Sequence, residues 1–347
     1  MNSKNKIMNT NNIHSKKSFI ETFLKESGLP ENNYALSVLA GDGSARLFER
    51  LTPEDKEITY VFMENSPKND FLTKENMAYL KIGNHMHLKG LPLPGILKYD
   101  LNDGYFILED MGDRTLQDEV LDSNERVKIY ENIIETLLRL QIDGREEFDI
   151  TWCCQTPYYD SSLMREKEAW YFRDSFLRDY VKTNIDLSTL DKPFEHIISM
   201  AGKADNNYLL HRDFQSRNIM CRSEGIAILD WQGARLGPPA YDLASLIYDP
   251  YVDLLPGERE HLINVYASLL KDIKPEASES FKNYFLYIAA MRNLQVLGAY
   301  SFLSMNQGKK YFEQYIPIAL KSLKGLLDDI SHPRLSTLIN VVKDLTK

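Results

Sequence analysis

The sequence predicts an α+β protein in two lobes, the first built mainly on sheet and the second on helices. Three observations carry this. Short apolar runs paired around turn residues dominate up to residue 110. After Met111-Gly112-Asp113 the apolar residues recur at helical spacing. The β signal in that second half is one hairpin over residues 218–230.

Taken in order, residues 1–17 are rich in Asn, Lys and Ser and are expected to form a disordered tail. Positive charge without an apolar run excludes a secretory signal, and the lack of Arg and aliphatic residues fits a targeting peptide poorly. Residues 18–24 open a short amphipathic helix, with Ser18 as N-cap, Glu21 at N3 and Gly28 as stop. Residues 34–39 and 47–51 read as two strands around the turn Ala40-Gly41-Asp42-Gly43-Ser44-Ala45-Arg46. A third strand follows at 58–63, and residues 70–80 have helical spacing in Phe71, Met77, Ala78 and Leu80. Residues 91–95 form a loop, and residues 96–99 and 105–109 pair around Asn102-Asp103-Gly104. Helices are expected over 126–141, 165–181 and 192–202, and through most of 258–345. The lobes are therefore placed at 18–110 and 111–347.

A chain of 347 residues buries roughly three quarters of its unfolded surface, enough for a substantial core. The net charge of −9 argues against a general nucleic-acid binder or a partner of anionic membranes. No apolar run approaches the ~18 residues that span a bilayer. Cys153, Cys154 and Cys221 offer no Cys-x-x-Cys pair, so free thiols in a reducing cytoplasm are expected.

The chemistry is concentrated between His211 and Asp230. His211-Arg212-Asp213-Phe214-Gln215-Ser216-Arg217-Asn218 is followed by the apolar run Ile226-Ala227-Ile228-Leu229 and then Asp230. An acid five residues before an amide, with a second acid ending an apolar run, is the layout of a phosphoryl-transfer site. A fixed carboxylate at Asp213 can accept the proton of an attacking hydroxyl, which is worth roughly 10²- to 10⁴-fold. The amide oxygen of Asn218 and the carboxylate of Asp230 suit Mg2+, which takes oxygen ligands and keeps several waters while carrying ATP.

These segments resemble the aminoglycoside phosphotransferase-like superfamily, which shares the two-lobed protein-kinase fold. Within it the chain is most similar to bacterial kinases of the anomeric hydroxyl of N-acetylmuramate and N-acetylglucosamine. The resemblance rests on Gly41 to Arg46, Phe106 to Thr115, the loop 211–218, Leu229 to Ala234 with Gly237 to Leu246, and Arg292-Asn293-Leu294-Gln295-Val296-Leu297-Gly298. It implies a site in the cleft between lobes, with Asp213 as base and Asn218 and Asp230 as metal ligands. It implies further that Gly41, Asp42, Gly43 and Ser44, with Arg46, cover the ATP phosphates, although a plain hairpin turn would read the same. Glu109 to Met111 would be the hinge that meets the adenine edge through its backbone. The implied setting is reuse of cell-wall sugars, with a small-molecule acceptor, no nucleic-acid or membrane partner, and a monomer.

Four residues are assigned to the acceptor. Trp231 and Gln232 suit a pyranose bearing an acetamido group, although core packing explains Trp231 equally. Arg292 and Asn293 lie in the apolar helical stretch 284–303, as a wall of the sugar pocket or as a salt bridge between helices. Asp242 reads as the N-cap of an apolar helix and, by the resemblance, as a brace for the catalytic loop. The chain also departs from the kinase pattern. Met63 stands where a strand lysine is usual, so Glu75 lacks its partner; Arg46 or Arg50 are the candidates to replace the charge. Gln215 stands where Lys or His is common, with Arg212 or Arg217 to compensate. The rival readings are kinases of another hydroxyl, such as an aminoglycoside, choline or homoserine, and a nucleotide-binding pseudokinase scaffold.

Overall fold

The computed structural model describes every residue except Met1, 40–45 and Asp55, with side chains from His14 onward. The glycine turn assigned to the ATP phosphates, Gly41 to Ser44, lies outside the described residues. The chain divides into two compact units: residues 1–112 with Trp152–Cys154, and residues 113–151 with 155–347. The break thus falls at Gly112, close to the change of character at residue 110, and a three-residue segment returns to the first unit. There the ring of Trp152 lies 5.3 Å from that of His85.

The first unit holds α1 (Asn2–Glu26), β1 (Tyr34–Val38), β2 (Leu47–Pro53), β3 (Tyr60–Glu64), α2 (Asp70–Leu88), β4 (Ile96–Asp100) and β5 (Tyr105–Glu109). The strands form one antiparallel sheet in the order β1-β2-β3-β5-β4. Strand alternation sends Phe62 to one face and Met63 to the other. On the first face Ile20, Phe23 and Leu24 of α1 pack on Leu51, Phe62, Tyr105 and Ile107. The helix runs through residues expected to be a tail, so Ser18 is an interior residue and not an N-cap. Side chains of that segment tie it down, Ser15 to Asp103 in the turn after β4 and Lys16 to Glu49 of β2. The start of α2 is capped by Asn69, whose side chain accepts from Leu72 N at 3.0 Å.

The second unit holds α3 (Leu116–Leu121), α4 (Arg126–Asp143) and the single turn α5 (Ser161–Leu163), which runs into π-helical turns over Met164–Ala169 and Phe172–Val181. The helix expected over 165–181 is therefore wound more widely than an α-helix. Next come α6 (Asp191–Ala201), β6 (Tyr208–Leu210), β7 (Ile219–Arg222), β8 (Gly225–Ile228), β9 (Arg235–Gly237) and α7 (Ala240–Ile247). The unit ends with α8 (Pro256–Ile273), α9 (Pro275–Gln307), α10 (Ile316–Ile330) and α11 (Ser336–Leu345). Besides the expected β7–β8 hairpin there is a second two-stranded sheet, β6 with β9. Three-residue strands buried throughout carry no alternation, so sequence periodicity does not disclose them.

The long α9 is buried around much of its circumference, as a helix through the middle of a core must be. Gly298 permits this: a Cβ there would stand 2.9 Å from the backbone carbon of Tyr171. Among the described residues no helix is long and apolar enough to cross a membrane.

Candidate active site

The loop after β6 is held from below by two buried acids. Asp242 lies in the first turn of α7, whose N-cap is Pro239. Its carboxylate does not cap the helix; it accepts from His211 N at 2.7 Å and Arg212 N at 2.9 Å. Asp249 accepts from Ser216 N at 2.8 Å and Ser216 Oγ at 2.6 Å, and its other oxygen accepts from Tyr251 N at 3.0 Å. The two acids grip the loop on both sides of Asp213. The backbone between them is constrained further, since Arg212 has φ of 78°, in the left-handed region that a bulky residue rarely enters. His211 is buried beside Phe214, and burial holds its imidazole below the ordinary range despite the pull of Asp213, Asp230 and the Leu229 backbone.

Asn218 donates Nδ2 to the Asp213 carbonyl at 2.8 Å. That bond fixes the amide and leaves Oδ1 as its outward oxygen. Leu229 N donates to Asn218 O at 2.8 Å, one step beyond the Ile219–Ile228 pair. The hairpin therefore returns the chain so that Asn218 and Asp230 flank the same end of it. Asp230 also has a left-handed backbone, φ 70°, which turns the chain out of β8 into the short turn Trp231–Gly233. An amide oxygen and a carboxylate fit a hard cation that also keeps phosphate and water ligands. Among the described residues no group of three His, Cys, Asp or Glu gathers as a closed metal site.

The acceptor-side assignments divide. Trp231 is 0% exposed, so its indole is a core side chain with no face free to stack on a sugar. Gln232 and Asn293 are also buried, and Asn293 Oδ1 has no hydrogen-bond partner. Arg292, on α9, donates Nε to Ser245 Oγ of α7 at 2.7 Å and pairs through another nitrogen with Gln295. Its third nitrogen lies 3.9 Å from Asp213 Oδ1. The structure thus joins two residues 79 positions apart in sequence.

The substitutes considered for missing charges are committed elsewhere. Arg50 donates to Asp110 through Nε at 2.5 Å and Nη2 at 3.2 Å. Burial raises the Asp110 carboxyl, but bonds from Arg50, Thr59 and Gly112 outweigh it and hold it below the usual carboxylate range. Glu75, without a strand lysine, accepts from Asn65 Nδ2 at 2.9 Å. Glu109 accepts from Gly95 N at 2.8 Å, while Met111 is buried and Arg46 lies with its guanidinium 5.8 Å from the Phe48 ring. Arg217 donates to Gln117 at 2.7 Å and to Tyr315 at 3.0 Å, with its guanidinium 3.8 Å from the Tyr251 ring. It pins the loop to the segment between α9 and α10.

Sequence reasoning missed Asp249, Ser245 and Glu168. Glu168 is fully buried in the π-helical turn and accepts from Tyr159 at 2.6 Å and Tyr241 at 3.0 Å. For Asp249 a signal exists: it follows Leu246-Ile247-Tyr248, and a charge beside an apolar helix face needs a partner.

Comparison with known proteins gives the family and the fold. The family model described as "Phosphotransferase enzyme family" matches residues 35–276. The N-acetylmuramate/N-acetylglucosamine kinase of Neisseria meningitidis serogroup B is 26% identical over 312 residues, 85% of this chain and 86% of its own length. Among solved structures, the Plasmodium vivax ethanolamine kinase superposes with a TM-score of 0.61 at 14% identity, covering 84% of this chain and 83% of its own. The aminoglycoside phosphotransferase APH(2'')-Ib, solved with ADP, gives 0.55 at 14% identity over 88% and 98%. The fold is therefore the α+β protein-kinase-like one.

Proposed function

Because the chain belongs to the phosphotransferase enzyme family, we propose that it transfers the γ-phosphoryl group of ATP to the anomeric hydroxyl of an amino sugar of the N-acetylmuramate or N-acetylglucosamine type. The observation that carries the reaction type is the fixed loop: Asp213 beside a buried guanidinium, and Asn218 turned oxygen-outward at the hairpin end that leads to Asp230. The sugar is supported by the likeness to a relative named for it across most of both chains.

In the reaction Asp213 accepts the hydroxyl proton as the sugar oxygen bonds to the γ-phosphorus. The bond to the bridging oxygen breaks and ADP departs with that electron pair. Asn218 Oδ1 and Asp230 would hold Mg2+, which supplies charge neutralisation at the phosphates. The loop contributes positioning, since Asp242 and Asn218 fix the backbone on both sides of the carboxylate.

The test is a screen of phosphate transfer from labelled ATP to N-acetylmuramate, N-acetylglucosamine, choline and kanamycin. We expect transfer to the amino sugars, with an acid-labile product, and loss of turnover by at least about 10³-fold in Asp213→Ala. Transfer confined to kanamycin or choline would sink the sugar assignment. Full turnover in Asp213→Ala would remove that carboxylate from the mechanism.

A further inference from the structure

Asp213 has an unusual environment for a group that must meet a substrate in one orientation. Its side chain is 43% exposed, and among the described residues none donates a hydrogen bond to its carboxylate. An aspartate so placed has several staggered rotamers open to it. The cation within ion-pair reach is Arg292, whose side chain is only 6% exposed.

Arg292 is itself closely fixed. Ser245 takes Nε, Gln295 takes a second nitrogen, and the Tyr241 ring lies 5.7 Å from the guanidinium carbon. These partners are neutral; the buried acids Asp242, Asp249 and Glu168 act on the guanidinium through space, and the carboxylate within ion-pair distance is Asp213. The planar fork lets three edges face three directions at once, which a lysine ammonium on a flexible stem cannot reproduce.

We propose that Arg292 is a positioning residue for phosphoryl transfer: a buried guanidinium, set by Ser245 and Gln295, that holds the Asp213 carboxylate toward the attacking hydroxyl. This rests on Asp213 being the base. The two groups stand 3.9 Å apart. That is too long for a hydrogen bond, so the guanidinium orients the carboxylate by charge without occupying the lone pair that takes the acceptor's proton.

The experiment compares steady-state kinetics of wild type, Asp213→Ala, Arg292→Gln, Arg292→Lys and Ser245→Ala, each checked for folding by circular dichroism. Arg292→Gln should lose about 10²-fold in kcat while KM for ATP stays within about twofold. Arg292→Lys should lose about tenfold or more, and Ser245→Ala a few-fold, both in kcat. A merely structural role would loosen the loop that also carries Asn218, and so would move KM for ATP together with kcat. That result, or wild-type kcat in folded Arg292→Gln with Asp213→Ala inactive, overturns the proposal. If Arg292→Gln does not fold, wild-type kcat in Arg292→Lys overturns it instead. Turnover retained by Asp213→Ala would mark failure of the base assignment and is recognised separately.

Discussion

Both units bury polar groups, Asn65 and Asn76 in the first among them, but among the described residues most buried charges lie in the second. In the first, the strand position where kinases keep a lysine is Met63, 0% exposed and paired in register with Phe48 on one side and Phe106 on the other. The arginine nearest in role, Arg50, is spent on Asp110. In the second, Asp242, Asp249, Glu168 and Arg292 are all buried, and the first two end on the backbone of a single loop. Burying a charge costs stability unless its partners are well placed. A protein that buries four such groups in the second unit and leaves the Met63 slot of the first apolar has concentrated that cost in the unit that carries the loop.

The largest expected effect tests the loop side of this contrast. Asp249→Ala leaves three buried donors without their acceptor: Ser216 N, Ser216 Oγ and Tyr251 N. We expect a loss of about 3–5 kcal/mol in denaturant unfolding and a fall in kcat of about 10²-fold or more. A variant as stable and active as wild type would show that the acid does not hold the loop.

The sheet side is tested by Met63→Lys. If the slot is apolar in function as well as in packing, an ammonium placed between Phe48 and Phe106 should destabilise by roughly 2–4 kcal/mol and should not raise kcat. A gain in activity, or an unchanged unfolding midpoint, would mean that the site accepts the usual lysine after all, and the contrast between the units would narrow.

What could be foreseen in the chain follows the range of the interactions. Asp213, Asn218 and Asp230 are legible because a tight loop and a hairpin fix their mutual spacing within eighteen residues. The five-stranded sheet is legible in its members because turn residues punctuate them. Arg292 could be flagged as a charge on an apolar helix, yet its partners Ser245 and Asp213 come from other elements and no local pattern names them. Asp242 looks like a cap because acids precede helices often, whereas its carboxylate faces the loop in three dimensions. Trp231 follows a metal ligand in sequence, but the left-handed turn at Asp230 sends its ring into the core.

A smaller effect sharpens the role of α9, the helix that carries Arg292. Gly298→Ala places a methyl 2.9 Å from the Tyr171 backbone, which cannot yield as a side chain tip would. The expected cost is about 1–3 kcal/mol in thermal or denaturant unfolding. A neutral result would show that α9 and the π-helical segment can shift apart without penalty.

A last test concerns the sign of a titration. Burial pushes the Asp242 carboxyl up to about 7, against the pull of the His211 and Arg212 amides and of Arg292, with Asp213 adding a further push. In the unfolded chain the same group titrates near about 4. Between those values the folded protein binds more protons than the unfolded one, so stability from this group is fully present at about pH 4 and is lost as pH rises through about 7. Asp242→Asn keeps the shape and does not titrate, although its amide must turn one N–H toward the loop donors and so adds a constant cost. Subtracting the variant's unfolding free energy from that of wild type cancels the other carboxylates. The difference should fall from about pH 4 to about pH 7 and stay level above it. A difference that instead grows with pH would mean that the loop amides and Arg292 win over burial and keep Asp242 ionised, making the brace a charged one like the pair that faces Asp213.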